Sequence, residues 1–413
     1  MATRTFHRLE DPSLPSHLLD LATRDGRIDA PTRALIERYL TYLQGAKKAS
    51  PVYLSNATTQ CILWRTLLEI PFEVATFDDL VRAQVALDNA ISRRGKPYSQ
   101  SSKKTHTLAL KSFYYYLIRR GISTIPTYEI REIRCPEVEP TTAPEDLIQA
   151  KDLKKIVNAC TNFRDRAFVA VLFETGCRIS EVARMTWGDL VFDPYGARVT
   201  IHDRKRKKQR SSRLISSIPH LAAWRNNYPA GDPIGDRHVF ITHNTGDPLS
   251  YSMARHIVVS AAEEARIPKR VYPHLFRKSR ITELIISGCS ESVVKESCWQ
   301  NPNTRMFAHY LRLSSTDVDN ELLRTAGIEI DADQAHPTRT VFHCPSCHAL
   351  CPPEADYCPV CLIPVSEEAR AAQEQKTASI LDAMNKDPRL ALIDRKLEEF
   401  RRSLIADLDE PTA

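Results

Sequence analysis

A cluster of prolines constrains this sequence more than any other feature. Pro136, Pro140 and Pro144 fall within the segment 134–145, and proline fixes φ and lacks the amide hydrogen that the interior of a helix or sheet requires. Such a segment suits an extended connector. Because 413 residues are too many for one hydrophobic core of ordinary size, we expect residues 134–149 to link two separately folded domains.

Helical patterns fill the stretch before this linker. Apolar residues recur at helical spacing in two segments, and a capping box formed by Thr76 and Asp79 starts a third helix. A fourth helix ends at Gly121, a residue suited to the left-handed conformation beyond a helix terminus. The sequence therefore predicts a bundle of about four helices over 30–133, preceded by an N-terminal extension at 1–29.

The stretch 150–330 combines helices with a small sheet. An apolar helix over 165–175 ends at Gly176. Strand patterns at 198–201 and 213–218 flank a basic run, which predicts a hairpin with a highly charged tip. Further helices are predicted over 250–266, 275–287 and 290–298. The sequence thus predicts a mainly α chain with a small β-sheet.

The C-terminal part is rich in cysteine. Five of the 11 cysteines lie between positions 344 and 361, where two Cys-x-x-Cys turns are separated by ten residues. Two such turns can present four thiolates to one tetrahedral Zn²⁺, so the sequence predicts a small structural zinc ribbon over 340–365. The predicted ligands are Cys344, Cys347, Cys358 and Cys361, and the alternatives are Cys351, His343 and His348. A helical tail over 366–413 follows and is expected to reach about Ile405, with a break at Pro388.

Charge is concentrated rather than spread evenly. The net charge is only +6, but the run 203–213 holds seven basic residues and one acid. A second basic region surrounds the aromatic residues of the segment 113–116. Local clustering decides whether a protein attracts nucleic acid, so both regions are candidates for contact with DNA.

Several functional classes are disfavoured by what the sequence lacks. Its 12 glycines form no glycine-rich phosphate loop. The odd number of cysteines disfavours a disulfide framework. The N-terminus carries no signal peptide, and no apolar run approaches the roughly 18 residues that span a membrane. We therefore expect a cytoplasmic protein.

Four short strings after the linker carry the functional prediction. They are a Thr-Gly-Cys-Arg string that ends at Arg178, a His-Leu-Phe-Arg string from His274 to Arg277, Trp299, and a His-Tyr-Leu string centred on Tyr310. In this order they resemble box I, the H-x-x-R box II, the His-or-Trp position and the nucleophile of the tyrosine recombinases, also called λ-integrase-like recombinases. Each string is common, but their order and their separations of about 100 and 33 residues are specific.

The resemblance covers roughly residues 30–330 and implies an architecture. The segment 30–133 would be a helical core-binding (SAM-like) domain, and 150–330 an α+β catalytic domain. The two domains would clamp opposite sides of a DNA duplex through basic surfaces that contact phosphates. The segments 313–319 and 327–329 resemble the archaeal-type branch of this family.

The resemblance also implies a reaction, site-specific recombination of double-stranded DNA. The hydroxyl oxygen of Tyr310 would attack a phosphodiester, giving a 3′-phosphotyrosyl link and a free 5′-hydroxyl without ATP or a catalytic metal. Arg178 and Arg277 would stabilise charge on the non-bridging oxygens. His274, whose residue type has an ordinary pKa of about 6.5, would be the general base, and Trp299 would donate its indole N–H to a phosphate oxygen.

In this family a lysine at the turn of a β-hairpin protonates the leaving oxygen. Counting along the hairpin that follows Arg178 favours Lys205, with Lys207 and Lys208 as alternatives. The remaining charges of the basic run are expected to contact phosphates.

The resemblance implies a homo-tetramer on DNA that forms from a free monomer or dimer. The zinc ribbon, whose partner can be DNA or protein, and the terminal helix are candidates for docking on neighbouring subunits. Two other functions fit parts of the sequence: a non-catalytic DNA-binding regulator that keeps the fold, and a type IB topoisomerase. The complete set of Arg178, His274, Arg277 and Tyr310 disfavours the first, and the helical bundle before the linker disfavours the second.

Overall fold

The computed structural model describes residues 6–92, 95–138, 142–203, 208–301, 303–304, 307–311, 313–326, 341–346 and 349–386. In this part of the chain the fold is mainly α with two small sheets, which confirms the predicted class. Two compact units are present. The first comprises the chain up to Ala143 together with Leu249–Ala254, and the second comprises Pro144–Pro248 and the residues from Arg255 onward. The division at Ala143 falls in the segment 134–149.

Helices make up the described part of the first unit. They are α1 (Leu14–Arg24), α2 (Ala30–Gly45), α3 (Pro51–Leu68), α4 (Phe77–Asn89), α5 (Gln100–Arg119) and α6 (Thr127–Glu132). The capping box of Thr76 and Asp79 starts α4 as predicted, with both reciprocal hydrogen bonds formed. Gly121 follows α5 with a φ of 65°, the left-handed conformation that glycine adopts without strain.

The core of the first unit is aromatic. Trp64 and Phe72 are buried in it, and the Phe113 ring lies 4.9 Å from the Phe72 ring in an edge-on arrangement. Leu19 and Ala22 of α1 belong to the same buried cluster. The segment predicted to be an N-terminal extension therefore contributes a helix to this core.

The second unit is built around one buried helix, α8 (Phe163–Thr175). Its residues from Ala167 to Thr175 are all buried. The first seven of them are apolar, and neighbouring elements cover this part of the helix on every side. The other elements up to residue 325 are α7 (Ala150–Ala159), α9 (Ile179–Ala183), β1 (Leu190–Asp193), β2 (Gly196–Asp203), β3 (Lys208–Leu214), α10 (Ile218–Asn226), α11 (Tyr251–Glu264), α12 (Pro273–Ile286), α13 (Glu291–Trp299), α14 (Phe307–Tyr310) and α15 (Ser315–Thr325). The first four residues of α11 belong to the first unit.

The three strands form an antiparallel sheet in the order β1–β2–β3. The predicted boundaries of the second hairpin strand, 213–218, were wrong, because β3 covers Lys208–Leu214 and so includes part of the basic run. The strand ends at Leu214 because the buried carboxylate of Glu174 accepts hydrogen bonds from the amides of the next three residues, 215–217. Those amides are then unavailable to a neighbouring strand.

The C-terminal part of the second unit contains a two-stranded sheet and a helix. Strand β4 (Phe342–His343) pairs with β5 (Leu350–Cys351), and α16 spans Glu367–Lys386. The Ser366 hydroxyl accepts a hydrogen bond from Ala369 N at 3.1 Å, the N-cap interaction that stabilises a helix start. The predicted continuation to Ile405 and the break at Pro388 lie outside the described residues. No helix among the described residues is long and apolar enough to cross a membrane.

Candidate active site

Arg178 lies at the junction of α8 and α9. Gly176 ends α8, as predicted, with a φ of 56°, and Arg178 is the N-cap of α9. A Cβ atom at Gly176 would lie 3.3 Å from Arg280 Cγ, so both backbone conformation and space favour glycine there. Glu181 closes the turn by accepting a hydrogen bond from Arg178 N at 2.7 Å.

The Glu181 carboxylate joins Arg178 to strand β3. Its Oε1 accepts hydrogen bonds from Arg178 Nη1 at 2.9 Å and from Arg210 Nη1 at 3.1 Å, and its Oε2 accepts one from Arg210 Nη2 at 2.6 Å. Burial raises the pKa of Glu181, but the hydrogen bonds and charge of Arg210 and the charge of Arg178 outweigh burial and lower the pKa. Glu181 is therefore ionised, and the charges of the two arginines and the carboxylate add up to +1.

Two main-chain carbonyl groups hold the Arg277 side chain in place. On α12 it is 0% exposed, its Nη1 donates to Gly176 O at 2.6 Å, and its Nη2 donates to Cys298 O at 3.0 Å. Its Nε atom is buried and has no hydrogen-bond partner among the described residues. The two carbonyl groups thus orient the guanidinium and leave the Nε donor for a ligand.

Tyr310, at the end of α14, packs against these groups. Its hydroxyl lies 3.2 Å from His274 Nε2, and its ring centroid lies 5.3 Å from that of Trp299. The Arg277 guanidinium carbon is 5.3 Å from the Tyr310 centroid and 4.8 Å from the Trp299 centroid, an arrangement favourable for cation–π attraction. Four of the residues singled out from the sequence therefore converge here.

The surroundings of His274 lower the pKa of its imidazole. Burial of the ring against its neighbours is the largest cause, and the charges of Arg277, Arg178 and Lys278 add to it, because each disfavours a further positive charge. The imidazole is therefore neutral at neutral pH. With its proton on Nδ1, the Nε2 atom that faces Tyr310 can accept a proton.

The predicted general acid belongs to the turn between β2 and β3. Lys205 and Lys207 lie outside the described residues. Lys208 begins β3, where its backbone pairs with Asp203, and its side chain is also outside the described part of the chain. The choice of Lys205 stays a prediction.

Two charged residues of this site, Glu181 and Arg210, were not assigned roles from the sequence. Glu181 follows Arg178 by three residues, the spacing of a capping box, and this signal was available. Arg210 is one of seven basic residues in its run. Only the strand register shows that its side chain points inward, where it is 5% exposed.

A second candidate site is formed by three cysteines of the C-terminal part. The Sγ atoms of Cys344, Cys358 and Cys361 lie within 4.8 Å of one another, and those of Cys344 and Cys361 are 3.5 Å apart. Sulfurs that bind zinc tetrahedrally at about 2.3 Å are separated by roughly 3.8 Å. Two backbone amides donate to Cys358 Sγ, which stabilises a thiolate. These three residues therefore fit a zinc site.

The other predicted zinc ligands are not part of this group. Cys347, the fourth predicted ligand, and His348 lie outside the described residues. Cys351 is buried, with its Sγ 3.7 Å from Ala349 O, and neither Cys351 nor His343 belongs to the cluster found among the described residues.

The sequence is similar to known recombinases. Residues 146–316 match the phage integrase family. Tyrosine recombinase XerC of Xanthomonas axonopodis pv. citri (strain 306) is 28% identical over 269 residues, which cover 61% of this chain and 84% of that protein. Tyrosine recombinase XerC of Bacillus subtilis (strain 168) is 25% identical over 308 residues, covering 70% and 93% of the two chains.

Solved structures show the same fold at lower identity. A lambda integrase tetramer bound to a Holliday junction matches with a TM-score of 0.55 and 16% identity, covering 67% of this chain and 76% of that one. XerH bound to a palindromic difH substrate matches with a TM-score of 0.53 and 14% identity, covering 78% and 98%. The domain over 146–316 is thus similar to those of the phage integrase family, and the relatives that the chain resembles in sequence are tyrosine recombinases. Its placement in the archaeal-type branch stays a prediction.

Proposed function

We propose that this protein is a site-specific DNA recombinase that cleaves and rejoins DNA strands through a covalent link to Tyr310. The observation that carries the proposal is the 3.2 Å separation between Tyr310 Oη and His274 Nε2. A hydroxyl nucleophile beside a neutral imidazole has a proton acceptor within the distance that general base catalysis requires. Similarity to the phage integrase family and to tyrosine recombinases supports the same function.

The proposed reaction is a transesterification. His274 Nε2 takes the Tyr310 proton while the phenolic oxygen attacks phosphorus, and the bond from phosphorus to the 5′-oxygen breaks. The general acid protonates that oxygen, which leaves as a 5′-hydroxyl. Because the 3′-phosphotyrosyl bond replaces one phosphodiester by another, a 5′-hydroxyl can reverse the step without ATP.

The two arginines supply the positive charge of the reaction. Negative charge builds up on the non-bridging oxygens in the transition state, and fixed guanidinium groups stabilise it. Arg277 would donate through Nε, and Arg178 through its guanidinium. Charge from these residues serves the purpose that a metal ion serves in other phosphoryl transfer enzymes.

Lys205 is proposed as the general acid, with Lys207 and Lys208 as the alternatives. Trp299 is proposed to contribute in two ways: its ring supports Arg277 and Tyr310, and its indole N–H is a donor for a phosphate oxygen.

Duplex DNA is the proposed partner, and the first unit would bind it through exposed cations. Lys103 and Lys111 are occupied within that unit, Lys103 by Asp88 and Lys111 by backbone carbonyls. Lys104, Arg119 and Arg120 are exposed and are the proposed phosphate contacts. Lambda integrase has been solved as a dimer and as a tetramer on DNA, and we propose a tetramer on DNA for this chain, acting in the cytoplasm.

We propose that the C-terminal cysteines hold one structural zinc ion through Cys344, Cys347, Cys358 and Cys361. The segment 341–365 contains no lysine or arginine, which makes it poorly suited to phosphates. Its acids Glu354 and Asp356 contact His220 and Lys154 of the same unit, at 3.1 and 2.9 Å. The ribbon is therefore proposed to bind protein rather than DNA.

Metal content tests the ribbon directly. Native mass spectrometry of the full chain is expected to find one zinc ion per molecule, and Cys358→Ser should lose it while Cys61→Ser, a buried cysteine of the first unit, should keep it. Equal zinc content in the two variants would contradict the assignment. If the double variant Cys344→Ser and Cys347→Ser assembled on DNA and recombined normally, the ribbon would have no part in docking subunits.

Covalent trapping tests the main proposal with no need to choose a target site. The protein is incubated with a pool of nicked duplexes of random sequence, and adducts that survive denaturant are recovered and sequenced. The wild type is expected to enrich one motif, and Tyr310→Phe should form no adduct. Tyr195→Phe, which changes a tyrosine that is 77% exposed in the same unit, is the matched control.

The same assay separates the other two functions. DNA binding without any adduct would support a non-catalytic regulator. Adducts without an enriched motif, accompanied by relaxation of supercoiled DNA, would support a topoisomerase. An enriched motif together with joining of two duplexes supports the recombinase.

A further inference from the structure

The buried guanidinium of Arg210 is not explained by the proposed chemistry alone. Arg210 lies opposite Ile201 in the β2–β3 ladder and is 5% exposed, while its strand neighbours Gln209 and Ser211 are exposed. Burying a charge is costly unless it is paired. A position in this strand that served only packing would favour an apolar residue, so the charge itself requires a reason.

The contacts of Arg210 lead to the site. Both of its terminal nitrogens bind Glu181, at 3.1 and 2.6 Å, and Nη2 also lies 3.3 Å from Cys177 Sγ. Glu181 in turn binds both the backbone amide and the guanidinium of Arg178. Two arginines therefore share one carboxylate, and each limits how strongly that carboxylate engages the other.

We propose that Arg210 is a positioning residue that acts through Glu181 to hold Arg178 in the orientation that binds the scissile phosphate. This inference rests on the proposed function. By binding Glu181 at both oxygens, Arg210 keeps the carboxylate from closing in a two-point contact on Arg178, which would neutralise the charge that the phosphate needs. The trio keeps one net positive charge for the transition state.

The charge of the phosphate distinguishes positioning from a purely structural role. A methylphosphonate at the scissile position replaces one charged oxygen by a methyl group, so the transition state depends less on Arg178. A variant that acts through Arg178 must lose less activity on this neutral substrate than on the ordinary one. A variant that only loosens the fold must lose the same factor on both.

The experiment measures single-turnover cleavage of the duplex recovered by covalent trapping, with either phosphate or methylphosphonate at the cleaved position. For Arg210→Gln we expect cleavage of the phosphate to fall roughly 10- to 100-fold, the worth of a charge-assisted hydrogen bond, with DNA affinity changed less than about threefold. On the methylphosphonate the loss should shrink to a few-fold, as it should for Arg178→Gln. Arg210→Lys, which keeps the charge without the two-point geometry, should fall between Arg210→Gln and the wild type.

Arg164→Gln is the matched control. Arg164 also forms a partly buried ion pair, with Asp165 at 2.7 Å and 11% of its side chain exposed, but it lies at the opposite end of α8. It should leave the ratio of the two cleavage rates unchanged per folded molecule. If Arg210→Gln does not fold, Arg210→Lys is judged by the same ratio.

Two outcomes would overturn the inference: normal cleavage of phosphate by the Arg210 variants, or equal losses on both substrates. Failure of the proposed function gives a different result. In that case either the wild type forms no adduct, or Arg178→Gln, like the Arg210 variants, leaves cleavage unchanged.

Discussion

The two arginines of the candidate site are held in contrasting ways. Arg277 is completely buried and bound by two main-chain carbonyls, and it stacks on two aromatic rings. Arg178 has a side chain that is 30% exposed and is bound by the carboxylate of Glu181. Carbonyl groups orient a guanidinium without cancelling its charge. A carboxylate orients a guanidinium and also cancels its charge, so a second cation has to share the carboxylate.

The contrast indicates that the two arginines contribute differently to stability and to chemistry. Arg277 is part of the core that joins α8, α12 and α13, and its position follows from the fold. Arg178 is set by a small electrostatic network at the surface of that core. Changes at Arg277 should therefore affect stability and chemistry together, while changes at Arg178 should affect chemistry alone.

The largest expected effect is that of Arg277→Met on folding. The substitution removes the donors to Gly176 O and Cys298 O, and each buried carbonyl left without a partner costs about 1–3 kcal/mol. We expect the free energy of unfolding, measured by urea denaturation, to fall by roughly 3 kcal/mol, together with complete loss of the covalent adduct. Arg178→Met should lose the adduct with a change in stability below about 1 kcal/mol. Equal losses of stability in Arg277→Met and Arg178→Met would contradict the contrast between the two arginines.

The next largest effect is expected in the pH dependence of the cleavage rate. Because the pKa of His274 is lowered, its imidazole stays neutral and active below its ordinary value of about 6.5. Single-turnover cleavage should therefore hold its maximal rate as the pH falls past that value, and then decline about tenfold per pH unit below the lowered pKa as the base becomes protonated.

Removing a nearby charge should move the acidic limb of the pH profile, which is the range of low pH over which the cleavage rate declines. Arg178→Gln removes one cause of the lowered pKa, so the limb should shift to higher pH, and Lys278→Gln should shift it less because the Lys278 charge is the smaller cause. A limb that stayed in place in Arg178→Gln would mean that the charge of Arg178 is not felt at His274. Residual rates of Arg178→Gln suffice for this measurement because only the shape of the profile is used.

The smallest effect is expected for Trp299→Phe. Phenylalanine keeps an aromatic face for Arg277 but loses the indole N–H, and cation–π attraction to it is weaker by up to about 1 kcal/mol. We expect a cleavage rate reduced by several-fold with DNA affinity unchanged. Trp224→Phe is the control for loss of a buried indole donor elsewhere, since Trp224 Nε1 donates to Val239 O at 2.7 Å, and it should lower stability without lowering the rate per folded molecule.

Local sequence signals predicted much of the fold. The predicted capping box at Thr76 and the predicted helix ends at Gly121 and Gly176 are confirmed, because each depends on residues a few positions apart. The end of strand β3 was missed because it depends on Glu174, about 40 residues earlier in the chain. A distant side chain that satisfies backbone amides leaves no local trace.

By itself, the sequence determined which residue types are available for the chemistry: Arg178, His274, Arg277 and Tyr310 follow in an order and at separations that point to one family. The tertiary structure decided how they are used. It buries Arg277 against two carbonyls, sets Tyr310 beside His274, and turns Arg210 inward to share Glu181 with Arg178. The physical reason is that hydrogen bonding and burial depend on elements that are 100 or more residues apart along the chain, such as Gly176 and Arg277, and no short pattern encodes such contacts.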